Sequence, residues 1–242
     1  MLKLADVEVI LMELLVAMLD ETDYLEALDI QKRLLLLRQQ NKVPDIMLLL
    51  QHPPTLTLGT RENFANILMP EAELARQGVC IYKINRGGDV TYHGPGQIVG
   101  YPILNLNGHG KSVRVYVDKL EEIFIQLLRQ EYSLTAGRDS KYTGVWVGGE
   151  KIAAIGCSVK RWVTMHGFAF NVNTDLNHFR WINPCGITDR GVTSLQKILG
   201  QPVDIEKTYR QVAEHFCLVF NCKPKLINLQ KLQGILGVQN HE

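Results

Sequence analysis

The segment TGVWVGGEKIAAIG, residues 143–156, contains two apolar runs joined by the dipeptide Gly148-Gly149. Such a dipeptide is typical of a tight β-hairpin, because the turn needs residues that tolerate positive φ. The two runs therefore predict neighbouring antiparallel strands. Further short apolar runs at residues 46–50, 79–84, 98–106 and 167–173 predict additional strands.

Three longer segments show the apolar spacing of helices. Asp23 and Glu26 resemble a capping box and predict a helix from about Asp23 to Gln39. Val113–Gln130 is amphipathic, and a third helix begins near Ile205. Strands outnumber helices and several are joined by hairpin-length turns, which favours an α+β fold with helices packed on a mixed or antiparallel sheet. The chain of 242 residues fits a single domain, residues 1–242.

The charge balance and the cysteines limit the partners and the compartment. Lys and Arg total 26 against 25 for Asp and Glu, and a net charge of +1 argues against general nucleic-acid binding. The apolar stretch Val7–Met18 is too short to span a bilayer and lacks the flanks of a signal peptide. Five scattered cysteines without a C-x-x-C pair favour free thiols. We expect a cytoplasmic protein that binds neither nucleic acid nor membrane.

Glycine is dense in the segment RGGDVTYHGPGQ, residues 86–97, which predicts an irregular loop rather than regular structure. The side chains of Arg86, Thr91, Tyr92 and His93 favour a loop that holds a substrate. Neither G-x-x-x-x-G-K-[ST] nor a G-x-G-x-x-G leading into a helix is present, so a nucleotide phosphate site is not supported. Pro102 in the next run predicts an edge strand or a bulge.

Cys185 is a candidate nucleophile. It follows Asn183-Pro184 and precedes Gly186, which predicts a rigid corner that exposes the thiol and leaves backbone N–H groups free to bind an oxyanion. A single cysteine is more often an inert apolar residue, and Cys157 in a predicted strand is the alternative nucleophile.

Lys151 is a candidate proton partner for this thiol. It leads into the apolar run IAAIG, so its stem is expected to lie against the core. A lysine directed into a low-dielectric site is disfavoured in its charged form and can accept a thiol proton. His166 and His93 are competing bases, and the residue pattern does not rank the three.

Three segments in order, residues 86–106, 144–176 and 182–187, resemble the lipoyl(octanoyl) transferases, and the match extends from about Asp23 to Leu199. The resemblance implies the fold of biotin protein ligases and lipoate–protein ligases. It also implies an octanoyltransferase that uses no metal and no cofactor. The implied donor is octanoyl-acyl carrier protein. The implied acceptors are lysines on lipoyl domains of 2-oxoacid dehydrogenase E2 subunits and on glycine cleavage H protein.

The resemblance also implies roles for individual residues. Cys185 matches the acyl-thioester cysteine, and Lys151 matches the lysine that promotes its deprotonation. The implied substrate-binding residues are Arg86, Gly87, Gly88, Asp89, Val90, Thr91, Tyr92, His93, Ala154, Ile155, Gly156, Gly167, Phe168 and Ala169. Arg86, Lys160 and Arg161 are candidate charges for docking acidic carrier proteins.

Three alternative functions remain open at this point. An ATP-dependent lipoate or biotin ligase of the same fold would activate its acid as an adenylate and would not need Cys185. A carrier-binding protein without activity would need neither Cys185 nor Lys151. A cysteine hydrolase would release the free acid instead of transferring it.

Overall fold

Residues 12–237 are described by the computed structural model. Its strands are β1 (Met12–Glu21), β2 (Ile46–Gln51), β3 (Thr55–Leu58), β4 (Cys80–Lys83), β5 (Val90–His93), β6 (Gln97–Ile103), β7 (Gly137–Arg138), β8 (Val145–Val147), β9 (Glu150–Lys160), β10 (Val163–Asn171) and β11 (Cys222–Ile227). Its helices are α1 (Tyr24–Gln39), α2 (Glu71–Arg76), α3 (Val113–Tyr132), α4 (Leu195–Leu199), α5 (Ile205–Phe220) and α6 (Leu229–Leu236).

The strands form one large sheet and one small sheet. The large sheet has eight strands in the order β11-β1-β2-β6-β10-β9-β8-β7, and the small sheet has three in the order β4-β3-β5. β1 pairs in parallel with β2 and β11, β3 pairs in parallel with β4, and the other pairs are antiparallel. Mixed sheets with packed helices confirm the predicted α+β class.

Both faces of the large sheet are covered by helices. α3 and α5 pack on one face, where Ile98 of β6 joins their apolar cluster. α1 and α6 pack on the other, where Val99 and Tyr101 of β6 join a second cluster. This alternation along β6 is the period-2 pattern of a strand. A third cluster lies between the small sheet and Trp181. None of the helices within residues 12–237 has the length and apolar character that a membrane crossing requires.

Several sequence-based predictions agree with this structure. The helix predicted from Asp23 is α1, and the Asp23 side chain accepts hydrogen bonds from the N–H groups of Leu25 and Glu26. The predicted hairpin is β8–β9, and Gly148 and Gly149 in its turn have φ of 58° and 85°. The predicted stretch Val7–Met18 is only partly visible, since residues 7–11 lie outside the described residues.

Two predictions about strands are wrong. The segment 86–97 is not wholly irregular, because Val90–His93 is β5 and pairs with β3. Pro102 does not lie in an edge strand, because β6 has β2 on one side and β10 on the other. The proline is tolerated because the β6–β10 pairing ends at Gly100, so no ladder hydrogen bond requires its missing N–H. Beyond it, the Thr164 hydroxyl donates to the Pro102 carbonyl over 2.6 Å.

Candidate active site

Cys185 lies in a short 3₁₀ turn, Pro184–Gly186. Its φ of 55° and ψ of 23° lie in the left-handed region, which non-glycine residues seldom adopt. The Gly186 N–H donates to the Asn183 carbonyl over 2.9 Å, and the Asn183 N–H donates to the Asn66 carbonyl over 2.8 Å. The predicted rigid corner is therefore present, and it leaves the thiol half-buried.

A cavity, here called the main cavity, opens beside Cys185; its empty space, together with the solvent at its mouth, is about 470 Å³. All three segments assigned to substrate binding contribute to it. The contributing residues are Arg86, Gly87, Gly88, Thr91, His93, Ala154, Ile155, Gly156, Gly167, Phe168 and Ala169. On β9 and β10, Ala154 pairs with Ala169 and Gly156 pairs with Gly167. These paired small residues leave room above the sheet for a ligand chain.

Four residues that the sequence analysis did not assign to substrate binding also line the main cavity: Tyr24, Val99, Tyr101 and His166. Tyr24 is the first residue of α1, and Val99 and Tyr101 alternate on β6. The alternating pattern of the run IVGYPI could have indicated Val99 and Tyr101, because both lie on one face of the strand. Nothing in the local sequence indicated that Tyr24 would reach this cavity.

Three predicted substrate-binding residues are not brought to the main cavity: Asp89, Val90 and Tyr92. Val90 and Tyr92 alternate with Thr91 and His93 along β5 and belong to the third apolar cluster. Because residues 86–97 were expected to form an irregular loop, the sequence analysis did not separate the residues on the two faces of β5. The buried Asp89 carboxylate instead accepts a hydrogen bond from the Asn63 N–H over 3.1 Å.

Arg86 places a buried cation near Cys185. Its side chain is 6% exposed, and Nη2 donates to the Thr57 carbonyl over 2.7 Å and to the Thr57 hydroxyl over 2.9 Å. All of its hydrogen-bond partners within the described residues are neutral. Burial lowers the pKa of Arg86, and the nearby Cys185 thiolate acts against that shift. The prediction that Arg86 docks carrier proteins is wrong, because the guanidinium is not on the surface.

A second pocket, here called the lysine pocket, contains Lys151; its empty space, together with the solvent at its mouth, is about 320 Å³. It shares Thr91, Ala154, Ala169 and Cys185 with the main cavity. Cys185 therefore borders both the apolar main cavity and the pocket that contains Lys151.

The amine of Lys151 is largely removed from water. The residue is 7% exposed, and Nζ lies 4.8 Å from the centroid of the Trp146 ring. Its backbone is fixed by the Gly191 carbonyl and the Thr193 N–H, each at 2.9 Å. Burial lowers the pKa of Lys151, and the negative charge of Cys185 is the largest of the opposing effects. The neutral form of the amine is therefore more populated here than in a solvated lysine.

The two histidines that competed as bases are buried and neutral. Burial lowers the pKa of His166 to about 3, and its Nε2 lies 2.9 Å from the Asn85 amide oxygen. Burial also lowers the pKa of His93 well below its ordinary value. An imidazole with so low a pKa is a poor proton acceptor at neutral pH. Lys151 is the more basic candidate, and it lines the same pocket as Cys185.

A chain of hydrogen bonds connects His93 of the main cavity with Gln97 and Asn171 of the lysine pocket. The Gln97 Nε2 donates to the Tyr92 carbonyl over 3.2 Å and to the Asn171 amide oxygen over 2.9 Å. The Gln97 amide oxygen can only accept, so it must accept a hydrogen bond from His93 Nδ1, which lies at 2.9 Å. Asn171 in turn donates to the Thr193 carbonyl over 3.0 Å. These bonds fix the His93 tautomer with its proton on Nδ1.

The other four cysteines do not line either space. Cys157 lies on β9, and burial raises the pKa of its thiol to about 11. Cys80 is exposed on β4, Cys217 is buried in α5, and Cys222 begins β11. Within residues 12–237, no three His, Cys, Asp or Glu side chains are grouped so that they could hold a metal ion.

Comparison with known proteins identifies the family. Residues 23–217 match the model of the lipoyl protein ligase A/B catalytic domain. This chain belongs to that family. Its relatives include the octanoyltransferase of Desulforamulus reducens, which is 73% identical over 226 residues. That alignment covers 93% of this chain and 99% of the relative. The resemblance seen in the sequence is confirmed.

Solved structures show the same fold at low sequence identity. Protein Ta0514 of T. acidophilum, a putative lipoate protein ligase, has a TM-score of 0.71 and 12% identity, and 93% of each chain is covered. Biotin protein ligase from Aquifex aeolicus in complex with biotin and ATP has a TM-score of 0.51 and 15% identity, covering 87% of this chain and 70% of that chain. The fold expected from the resemblance is confirmed.

Proposed function

We propose that this chain is an octanoyltransferase whose single catalytic domain carries the octanoyl group as a thioester on Cys185. The donor is octanoyl-acyl carrier protein. The acceptors are lysines of lipoyl domains in 2-oxoacid dehydrogenase E2 subunits and of glycine cleavage H protein. The observation that carries the proposal is that Cys185 lines both the main cavity and the lysine pocket.

The acyl specificity is supported by the main cavity and by the relatives. Ala154, Ala169 and Phe168 give the cavity an apolar lining, and Gly156 and Gly167 keep it open. Such a channel suits a saturated chain, which gains free energy on leaving water. The octanoyl group itself is proposed from the name of the relative that is 73% identical.

The first half-reaction moves the acyl group onto the enzyme. Neutral Lys151 accepts the proton of the Cys185 thiol, and the sulfur attacks the thioester carbonyl of the donor. The tetrahedral intermediate collapses, and the carrier thiolate leaves and takes the proton back from Lys151. The buried Arg86 cation favours the negative charge that develops beside Cys185. One thioester replaces another, so the step needs no external energy source.

The second half-reaction forms an amide. The acceptor lysine amine attacks the carbonyl of octanoyl-Cys185, Lys151 takes a proton from the attacking nitrogen, and the Cys185 thiolate leaves. The thiolate then regains a proton from Lys151, which restores both residues. Amide formation from a thioester drives the reaction forward.

Incubation with octanoyl-acyl carrier protein in the absence of ATP tests this proposal. We expect intact-mass spectra to show one octanoyl adduct, which peptide mapping places on Cys185 and which disappears when a lipoyl domain is added. Cys185→Ser removes the adduct, whereas the matched variant Cys157→Ser keeps it.

Three results would overturn the proposal. Modification of the lipoyl domain only when ATP and free octanoate are supplied would indicate a ligase. Release of octanoate faster than its transfer would indicate a hydrolase. An adduct that maps to Cys157 would displace Cys185 as the nucleophile.

A further inference from the structure

The turn that carries Cys185 has an unfavourable backbone conformation. Cys185 and Gly186 are both left-handed, with φ of 55° and 69°. For a residue with a Cβ this region is unfavourable, because Cβ lies too close to the following carbonyl oxygen. Such a conformation persists only where surrounding contacts hold it, and it is often found at functional sites.

Asn66 supplies two of the contacts that hold this turn. It ends the 3₁₀ turn Phe64–Asn66, and its carbonyl accepts the Asn183 N–H over 2.8 Å. Its side-chain amide lies against Gly186, where an added methyl group would be 3.2 Å from Nδ2. Asn66 therefore contacts the nucleophile turn through both its backbone and its side chain.

Asp89 fixes the Asn66 side chain. Its Oδ2 accepts a hydrogen bond from Asn66 Nδ2, and its Oδ1 accepts the Asn63 N–H over 3.1 Å. Its carbonyl accepts the Gly59 N–H over 3.1 Å. Asp89 and Asn66 are both buried, and neither lines the main cavity or the lysine pocket.

We propose that Asn66 and Asp89 are positioning residues that hold the Cys185 turn so that its sulfur faces both the main cavity and the lysine pocket. Asp89 acts through the Asn66 amide and touches no acyl donor. The inference rests on the proposed function only in taking Cys185 as the reacting group. It explains why an acidic residue of the glycine-rich segment is buried behind the nucleophile turn.

The donor and acceptor pattern of this pair provides the test. Asn66→Asp places two carboxylates face to face and abolishes the hydrogen bond. Asp89→Asn keeps the side-chain hydrogen bond, because the Asn66 amide can rotate so that its oxygen accepts from the new NH2 group. The oxygen of the new amide still accepts the Asn63 N–H. The exchanged double variant N66D/D89N restores one donor opposite one acceptor.

The measurement is the rate at which iodoacetamide alkylates Cys185 in the folded protein, followed by peptide mapping. Exposed Cys80 serves as an internal reference in every sample. We expect Asn66→Asp to slow Cys185 about tenfold, because a sulfur displaced from the lysine pocket loses the amine that accepts its proton, and the thiolate is the form that reacts. Asp89→Asn should keep most of the wild-type rate, and the double variant should recover most of it. Cys80 should react equally in all of the variants.

Octanoyl transfer measured on the same variants should follow the same order. If Asn66→Asp does not fold, Asn66→Ala removes the amide without adding a charge and should also slow Cys185. Alkylation at the wild-type rate in Asn66→Asp or Asn66→Ala, or no recovery in the double variant at an unchanged Tm, overturns the positioning role. A protein that shows this order of alkylation rates but no octanoyl transfer would refute the proposed function and leave the inference intact.

Discussion

A methyl group added at Gly144 would lie 3.1 Å from Cε of Lys151 and 2.7 Å from the Ala153 carbonyl oxygen. Gly144 has a φ of 132°, which L side chains rarely adopt. Its N–H donates to Oε1 of buried Glu121 over 2.9 Å, and Arg138 donates to Oε2 of the same carboxylate over 3.0 Å. Bare backbone at Gly144 therefore forms one wall around the Lys151 side chain, and Glu121 holds it in place.

Gly144→Ala should disable the first half-reaction by displacing the Lys151 amine from Cys185. We expect octanoyl-enzyme formation to fall by about two orders of magnitude, since a shift near 1 Å has this effect on a reacting group. Rapid-quench mass spectrometry gives the rate. Gly137→Ala in the same segment is the matched control, because a methyl group there meets no atom within 4 Å. Equal rates in the two variants would contradict the role given to this contact.

Lys151→Met should stabilise the protein while it abolishes transfer. Burial lowers the pKa of Lys151, so the folded state binds this proton less readily than the unfolded state. The free energy of unfolding therefore decreases as the pH falls below the pKa of an unfolded lysine. At pH 7 we expect the free energy of unfolding to rise, and we expect this gain to shrink as the pH rises toward about 10.

Urea unfolding at several pH values measures this gain. Lys197→Met is the control, because Lys197 is exposed and pairs with Glu150 at 2.8 Å. A Lys151→Met variant less stable than the wild type at pH 7 would show that burial of Lys151 does not lower its pKa enough to destabilise the folded state.

Local patterns in the sequence predicted the helices and strands whose apolar residues recur at regular spacing. The apolar spacing after Asp23 and the glycine pair at residues 148–149 each reflect contacts within a few residues. The parallel pairing of β1 with β11 was not predicted, because it joins the two ends of the described chain.

The candidate site shows the same division. Chemical type and glycine content singled out Cys185, Lys151 and Arg86 in three separate segments. Their environment depends on tertiary contacts that no spacing encodes, such as the burial of Arg86 against Thr57. The low pKa of His166 also depends on its burial in the folded chain, so sequence reasoning could not rank it against Lys151.

Ala169→Leu should shorten the acyl chain that the enzyme accepts. Ala169 lines both spaces at Cys185, and a leucine adds three carbon atoms to the channel. We expect octanoyl transfer to fall at least about tenfold, because a hydrophobic pocket discriminates by this much for each methylene that does not fit. Competition between octanoyl and butyryl donors measures the change, and the butyryl rate should persist. Exposed Ala72→Leu should leave the ratio unchanged.

Stability should fall between about pH 6.5 and pH 5 because of buried neutral histidines. Burial lowers the pKa of His52 to about 4 and that of His166 to about 3. An unfolded histidine titrates near 6.5, so below that pH the unfolded state binds protons that the folded state excludes. Each such histidine contributes up to about 1.4 kcal/mol of lost stability per pH unit. Urea unfolding should show a slope over this range that is shallower in His166→Gln; an unchanged slope would mean that His166 becomes protonated within the folded protein.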